Sequence, residues 1–325
     1  MFGIIIFAHE GGHLLCAKLC HIYVEEFSVG MGPLLFSFRK GETKYSLRLL
    51  PIGGYCKMPG EDGESDLPNG FDKKPVLQRM LVVAGGALFN IIFAVLLFIV
   101  AYMGLGTPTS EPIVGEVKAD FPAYEAGMEE GDRITAIDGV AVNSWSEMTD
   151  AIHNNVEKEL LFTVEREGKV LDFEIAPVES DGVGIIGIVA ARENLPLWEA
   201  VKIGFVQTYT ITKLVIVSLW QMITGAIGVD LAGPVGVGQL VGQAAGYGFF
   251  NFLIFVAVIS VNLGIVNILP LPALDGGRLV FLALEGIRRK PVSAAVEGTV
   301  HFIGFALLMG LLVVITFFDI SRIVG

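Results

Sequence analysis

The chain contains, at residues 7–13, the stretch Phe7-Ala8-His9-Glu10-Gly11-Gly12-His13, an H-E-x-x-H pattern inside an apolar segment. On a helix, His9 and His13 lie one turn apart and point the same way. Two neutral imidazoles at this spacing can hold one zinc ion, and Glu10 can act as base on a water at the metal. The pattern is short, and two histidines satisfied within a membrane bundle are the alternative. A zinc site therefore requires a further ligand elsewhere in the chain.

The composition is that of a membrane protein. Of the 325 residues, 53% are hydrophobic and 17% are charged, and the mean hydropathy is +0.65. Residues 22–79 carry eight Lys/Arg and eight Asp/Glu, whereas residues 111–193 carry six and nineteen. Because Lys and Arg mark the cytoplasmic side, we predict that residues 22–79 lie inside the cell and the acidic stretch outside. The acidic balance does not suggest nucleic-acid binding.

The three cysteines argue against disulfides, because Cys16, Cys20 and Cys56 form no framework spacing. Cys16 and Cys20 continue the face of His9 and His13. Cys16 is therefore an alternative zinc ligand, although small bundle-facing residues are the preferred interpretation. No cleavable signal peptide is evident, because the first residues lack basic side chains. The eight residues before the motif indicate a short first span or missing native N-terminal residues.

Apolar runs predict about four transmembrane helices, at residues 1–20, 80–105, 246–269 and 301–318. Strands are expected at residues 23–29 and 45–50, next to glycine-rich segments that include Gly53-Gly54. Such glycines indicate either close approach of another backbone or tight turns. Gly85-Gly86 and Asn90 in the second span indicate helix packing. The chain is thus predicted to be an α-helical polytopic membrane protein with a membrane-associated β region.

Residues 112–177 predict a separate soluble α+β domain with strands at 113–117 and 133–137, a helix at 145–154 and a hairpin at 160–176. The domain resembles bacterial PDZ domains in four motifs, Gly115-Glu116-Val117, Ala126-Gly127-Met128, Gly131-Asp132-Arg133-Ile134 and Asp138-Gly139. PDZ domains bind extended peptides by strand addition. The expected groove lies between the strand near Ile113–Val117 and the helix that starts near Ser146. The alternative is a spacer that excludes bulky proteins by size.

Asp275 is the best candidate for the third zinc ligand. It follows Pro270 and Pro272 at a broken helix end, after a charge-free run that reaches back to Asp230. An ionisable residue in such a place is costly and therefore a functional candidate. Taken by itself, Asp275 would also fit a helix N-cap. Together with H-E-x-x-H, it predicts three protein ligands and one open position, as in catalytic zinc sites.

Topology follows from this pairing. His13 lies near the inner end of the first span, so Asp275 must lie toward the same side, and the third span must run inward. Residues 197–229, which contain Lys202 and Lys213, then cannot cross the membrane once. We predict that they lie on the outer surface or dip in and return. The cluster Arg288-Arg289-Lys290 falls inside, as its charge requires.

With these motifs, the chain resembles the site-2 protease family, and more narrowly bacterial RseP-like intramembrane zinc proteases with a single PDZ domain. The resemblance rests on H-E-x-x-H in a first span, the PDZ insert and Asn267-x-x-Pro270-x-Pro272-x-Leu274-Asp275-Gly276. It implies that His9, His13 and Asp275 ligate zinc (Zn2+) and that Glu10 is the general base. It also implies substrate contacts by four residues: Asn267, Asn262, Gly53 and Gly54. Gly86 and Asn90 match a glycine-asparagine motif of the family.

The resemblance implies an intramembrane zinc metalloprotease in a bacterial plasma membrane, with the PDZ domain on the extracytoplasmic side. Its expected partners are single-span membrane proteins such as anti-sigma factors or remnant signal peptides, an extended peptide at the PDZ groove, and the lipid bilayer. The expected domains are residues 1–105, 106–180 and 181–325, of which the second is the PDZ domain. Two alternatives are a transporter that moves ions past His9, Glu10 and Asp275, and a membrane scaffold with a degenerate site.

Overall fold

The structure, a computed structural model, describes residues 1–180, 182–226, 233–246 and 248–324. The chain divides into two compact units, of which the first comprises Met1–Ala101 with Trp198–Gly325 and the second comprises Tyr102–Leu197. Within the described ranges, five helices are long and apolar enough to cross a membrane: α1 (Phe2–Leu19), α2 (Val76–Leu105), α5 (Leu197–Ile223), α7 (Phe249–Ile268) and α9 (Ala294–Val324). The predicted polytopic helical architecture is confirmed.

Helices α1, α2 and α7 form the centre of the first unit. Along α1, Cys20 lies beside Gln78 and His9 beside Asn90, so α1 and α2 run antiparallel. Ser260 of α7 donates a hydrogen bond of 2.8 Å to the carbonyl oxygen of Asn90, farther along α2. The next turn of α7 packs on α2 through Gly264, near the carbonyl of Ala87. Helix α7 therefore also runs antiparallel to α2, and the ends of α1 and α7 point the same way.

The β region is a curled sheet made of two long strands, β1 (Glu26–Lys40) and β2 (Thr43–Lys57). Residues 26–29 pair on one side with residues 44–47 and on the other with residues 54–57. The strands are longer than the sequence predicted, because the glycine-rich segments lie inside them. Gly30 and Gly53 have φ of +85° and +80°, where a bulged strand changes direction. Gly30 and Gly53 therefore lie at bends within strands and not in turns that connect one strand to the next.

The second unit contains β3 (Thr107–Pro108), β4 (Val114–Val117), α3 (Pro122–Glu125), β5 (Arg133–Ile137), β6 (Val140–Ala141), α4 (Trp145–His153), β7 (Leu160–Arg166) and β8 (Lys169–Ile175). Four further strands, which the sequence did not predict, are β9 (Val178–Ser180), β10 (Val183–Ile185), β11 (Ile188–Ala190) and β12 (Arg192–Glu193). Strands β6-β5-β7-β8 form one sheet, and β11 pairs with β4. The core includes Met148, Phe162 and Ile186.

The expected peptide groove of this unit requires correction. The strand near Ile113–Val117 was predicted to face the helix that starts near Ser146, but β4 pairs with β11 along Val114–Val117. The strand next to α4 is β10, where Gly184 lies against the carbonyl of Ile152. The strands after Pro177 have no clear signal in the sequence, and one of them, β10, lies next to α4 where β4 was expected.

Helix α5 is continuous over 27 residues, and its Gly204 packs against Val95 and Ile99 of α2. Length and composition alone would allow it to cross the membrane. The surface location deduced from topology therefore stays a prediction, and the end of that segment, residues 227–229, lies outside the described residues. The chain continues through α6 (Pro234–Gly246) to α7, and α8 (Asp275–Arg288) then connects α7 to α9.

Candidate metal and catalytic site

Three side chains from two helices converge at one end of the bundle. His9 and His13 lie on successive turns of α1, and Asp275 is the first residue of α8. The Nε2 atoms of the two histidines are 3.3 Å apart, and Asp275 Oδ2 lies 3.1 Å from the first and 3.5 Å from the second. Ligands about 2.0–2.1 Å from a tetrahedral zinc ion are about 3.3–3.4 Å apart. The triangle of donor atoms therefore fits one zinc ion.

The alternative role of Asp275, a helix cap, is not what the structure shows. Helix α8 has Leu274 as its N-cap and no capping hydrogen bond from a side chain. The Asp275 carboxylate turns instead to the two imidazoles, and its Oδ2 is buried without a well-aligned hydrogen bond in the described part of the chain. A buried carboxylate oxygen that faces two imidazoles without a well-aligned hydrogen bond fits a metal ligand, since coordination would offset the cost of its burial.

The second ring nitrogen of each histidine faces α2. His13 Nδ1 donates a hydrogen bond of 2.9 Å to the carbonyl oxygen of Val82, which leaves Nε2 with its lone pair toward the metal position. His9 Nδ1 lies 3.3 Å from the side-chain amide of Asn90, whose Oδ1 is buried without a partner among the described residues. A half-turn of this amide would place Oδ1 at His9 Nδ1–H, where the oxygen could accept a hydrogen bond.

At two positions near the site, neighbouring atoms come so close that a side chain larger than that of glycine would overlap them. A Cβ on Gly86 of α2 would lie 2.7 Å from Cε1 of both His9 and His13 and closer still to Nε2 of His13. A Cβ on Gly276 would overlap the last carbonyls of α7, with the carbonyl carbon of Ile268 at 2.5 Å. The first glycine lets α2 support both rings. The second lets α8 turn back tightly enough to bring Asp275 to them.

Glu10 lies beside the ligand triangle and packs against the β region. A Cβ on Gly54 would meet Glu10 Cγ and Ile6 Cγ2, each at 3.0 Å. Residues 54–57 pair on one edge with residues 26–29 and with no other strand that the structure describes. An edge with unpaired backbone groups can accept an added strand. The helix that carries Glu10 therefore contacts a strand segment that pairs with another strand along one edge only, among the described residues.

The remaining candidates are not among the three donor atoms of the triangle. Asn267 is half-buried on α7, and its side chain forms no hydrogen bond with any described residue. Asn262 donates a hydrogen bond of 3.0 Å to Val258 of its own helix. Cys16, the alternative ligand, is outside the cluster, and its Sγ faces Gly85.

An ion-pair cluster that the sequence analysis missed connects α8 to the loop after β2. Arg278, one turn after Asp275, contacts Glu61 and reaches Asp62 at 2.6 Å. Burial raises the pKa of Glu61 to about 7, although the Arg278 charge opposes this shift. On the same helix, Glu285 forms a two-pronged pair with Arg79 at 2.5 and 3.0 Å. These contacts fix the orientation of the helix that begins at Asp275.

Comparison with known proteins covers nearly the whole chain. The family described as "Peptidase family M50" matches residues 1–311. Zinc metalloprotease RasP of Geobacillus kaustophilus is 34% identical over 406 aligned positions, which cover 99% of this chain and 96% of that protein. Regulator of sigma-W protease RasP of Bacillus subtilis is also 34% identical, and the alignment covers 99% of this chain and 97% of that protein. A solved PDZ domain of an SdrC-like protein from Listeria monocytogenes is 29% identical over 26% of this chain and 93% of its own, with a TM-score of 0.23.

Proposed function

The chain belongs to peptidase family M50 and is an intramembrane zinc metalloprotease, and we propose that its zinc ion is held by His9, His13 and Asp275. The observation that carries this assignment is the donor triangle of 3.1, 3.3 and 3.5 Å, which has the edge lengths of a tetrahedral zinc site. Family membership favours the protease over the transporter and the scaffold, the two alternatives left open by the sequence.

Catalysis is assigned to Glu10 because it is the acid next to the ligands that makes no ligand contact itself. When bound, zinc supplies Lewis acidity that polarises the scissile carbonyl and activates water near neutral pH. The Glu10 carboxylate takes the proton from the attacking water and returns it to the leaving amine nitrogen. The Val82 carbonyl holds His13 in the tautomer that keeps Nε2 free, and Asn90 would do the same for His9 with its amide turned so that Oδ1 accepts from Nδ1–H.

The proposed substrates are single-span membrane proteins, including anti-sigma factors and remnant signal peptides. A transmembrane helix hides its carbonyls in its own hydrogen bonds, so the cleaved segment must unwind. The open edge at residues 54–57, beside Glu10, would hold the unwound segment as an added strand. The unsatisfied amide of Asn267 would contact the substrate backbone.

We place the enzyme in a bacterial plasma membrane. The PDZ domain, expected from the sequence at residues 106–180 and lying in the compact unit Tyr102–Leu197, is assigned to the extracytoplasmic side, where it would bind an extended peptide. The support is the charge asymmetry, since residues 111–193 carry nineteen acidic and six basic side chains, whereas residues 22–79 carry equal numbers.

The test combines zinc analysis with cleavage of a model transmembrane substrate by purified protein. Glu10→Gln is expected to retain one zinc ion per chain and to lose cleavage, because the amide cannot accept the proton. Asp275→Ala is expected to lose both. Full zinc occupancy in Asp275→Ala would exclude Asp275 as an essential ligand, and more than trace cleavage by Glu10→Gln would exclude Glu10 as the base.

A further inference from the structure

The last helix contributes no candidate ligand, yet it contacts the turn that carries one. In the part of α9 whose side chains are described, residues 294–322, the only buried residues are Gly304 and Asp319. Asp319 accepts hydrogen bonds of 3.2 and 2.8 Å from the backbone N–H groups of Gly233 and Gly236 at the start of α6. Gly304 packs on Pro272, where a Cβ would lie 2.9 Å from the carbonyl carbon and oxygen. The Gly304 contact therefore falls on the segment just before Asp275.

His301, one turn before Gly304 on α9, makes a polar contact with the same segment. Its Nδ1 accepts a hydrogen bond of 2.9 Å from the backbone N–H of Ala273. The ring also lies 5.7 Å from that of Phe281 on α8. Its Nε2 is buried without a hydrogen-bond partner in the described part of the chain, and the Glu297 carboxylate is 3.9 Å away. The hydrogen bond from Ala273 to Nδ1 therefore orients the ring, and Nε2 adds no hydrogen bond of its own.

Ala273 needs such a contact because its backbone is strained. Its φ is +73°, a left-handed conformation that residues with a Cβ rarely adopt. Conformations of this kind persist where surrounding contacts hold them. The turn formed by Pro272, Ala273 and Leu274 lies between the end of α7 and the first residue of α8, so its conformation sets the direction in which the Asp275 side chain points.

We infer that His301 is a positioning residue for the metal site: by accepting the Ala273 N–H, it holds the strained turn that aims Asp275 at the two histidines. This inference rests on the proposed role of Asp275 as a ligand. It assigns α9 a role in the geometry of the zinc site, although no atom of α9 belongs to the ligand triangle. Displacement of α9 would release the turn and weaken zinc binding.

The experiment measures zinc retained by the full chain in detergent across a series of chelator concentrations, together with the visible spectrum of the cobalt-substituted protein. His301→Ala removes the acceptor and is expected to release zinc at roughly tenfold lower chelator concentration, as for other supports of metal ligands. His301→Asn places an oxygen where Nδ1 was and is expected to retain zinc. His301→Gln places its oxygen one bond farther and is expected to behave like Ala. Phe302→Ala is the matched control, because Phe302 is 71% exposed on the same helix.

Three results would overturn the inference: zinc retention by His301→Ala equal to wild type, zinc loss by His301→Asn equal to that of Ala, or equal loss in Phe302→Ala. If His301→Ala does not fold, the Asn and Gln variants decide, and equal zinc retention by both would count against the inference. A wild-type protein that binds no zinc would refute the proposed site itself. Failure of the inference alone leaves the wild type with its zinc.

Discussion

Replacing Gly86 with alanine should disable the metal site without touching a ligand. The added methyl would lie 2.7 Å from Cε1 of both His9 and His13. Carbon atoms in contact prefer about 3.5 Å or more, so the rings would have to move by about 0.8 Å. Zinc–ligand distances tolerate only about 0.2 Å, so the displacement exceeds the tolerance roughly fourfold. We therefore expect zinc affinity to fall by about 10–100-fold, the range for disturbed ligand support.

Gly11→Ala is the matched control for this experiment. Gly11 lies on α1 between the two ligand histidines, and a Cβ there would meet nothing within 4 Å. Both variants add one methyl group to a helical glycine near the site, but only one methyl meets the imidazoles. Zinc per chain after dialysis against graded chelator, and cleavage of a model transmembrane substrate, should both fall in Gly86→Ala and be unchanged in Gly11→Ala. Equal zinc retention by the two variants would refute the proposed role of this close approach.

Three further predictions follow from other parts of the chain. Gly276→Ala should lose zinc, because its methyl group would meet backbone atoms that cannot move aside. Gly286→Ala is the control and should keep zinc, because a Cβ there would lie 3.7 Å from the nearest side-chain atom. Zinc analysis of both variants tests this prediction. Single cysteines at Lys202 and Ile223, in a background without native cysteines, should label from the same outer side of the membrane, and labelling from opposite sides would contradict the deduced topology. Replacing the unit Tyr102–Leu197 with a flexible Gly/Ser linker should leave zinc bound and speed cleavage of substrates with bulky outer domains. Unchanged discrimination between trimmed and bulky substrates would rule out a gating role.

Much of the site could be predicted from local sequence patterns. The i, i+4 spacing of His9 and His13 is a property of one helix, and the exceptional position of Asp275 follows from the broken, charge-free run before it. The apolar runs predicted helices α1, α2, α7 and α9 for a similar reason, since the length and hydropathy of a span are local. The prediction was weaker at the glycines, because a glycine-rich segment can form a tight turn between strands or lie within a strand. The glycine-rich segments near residues 30 and 53 bend long strands, and that choice depends on pairing across the sheet.

The sequence predicted a zinc site from two local patterns, the H-E-x-x-H spacing of His9, Glu10 and His13 and the acid Asp275 after a charge-free run, while a transporter and a scaffold stayed open. How those side chains are held depends on contacts between parts of the chain that are far apart in sequence. Val82 and Asn90 lie 69 and 81 positions from the histidines that they contact, and His301 lies 28 positions from Ala273. No local pattern encodes such contacts, because they exist only after α1, α2, α8 and α9 have packed.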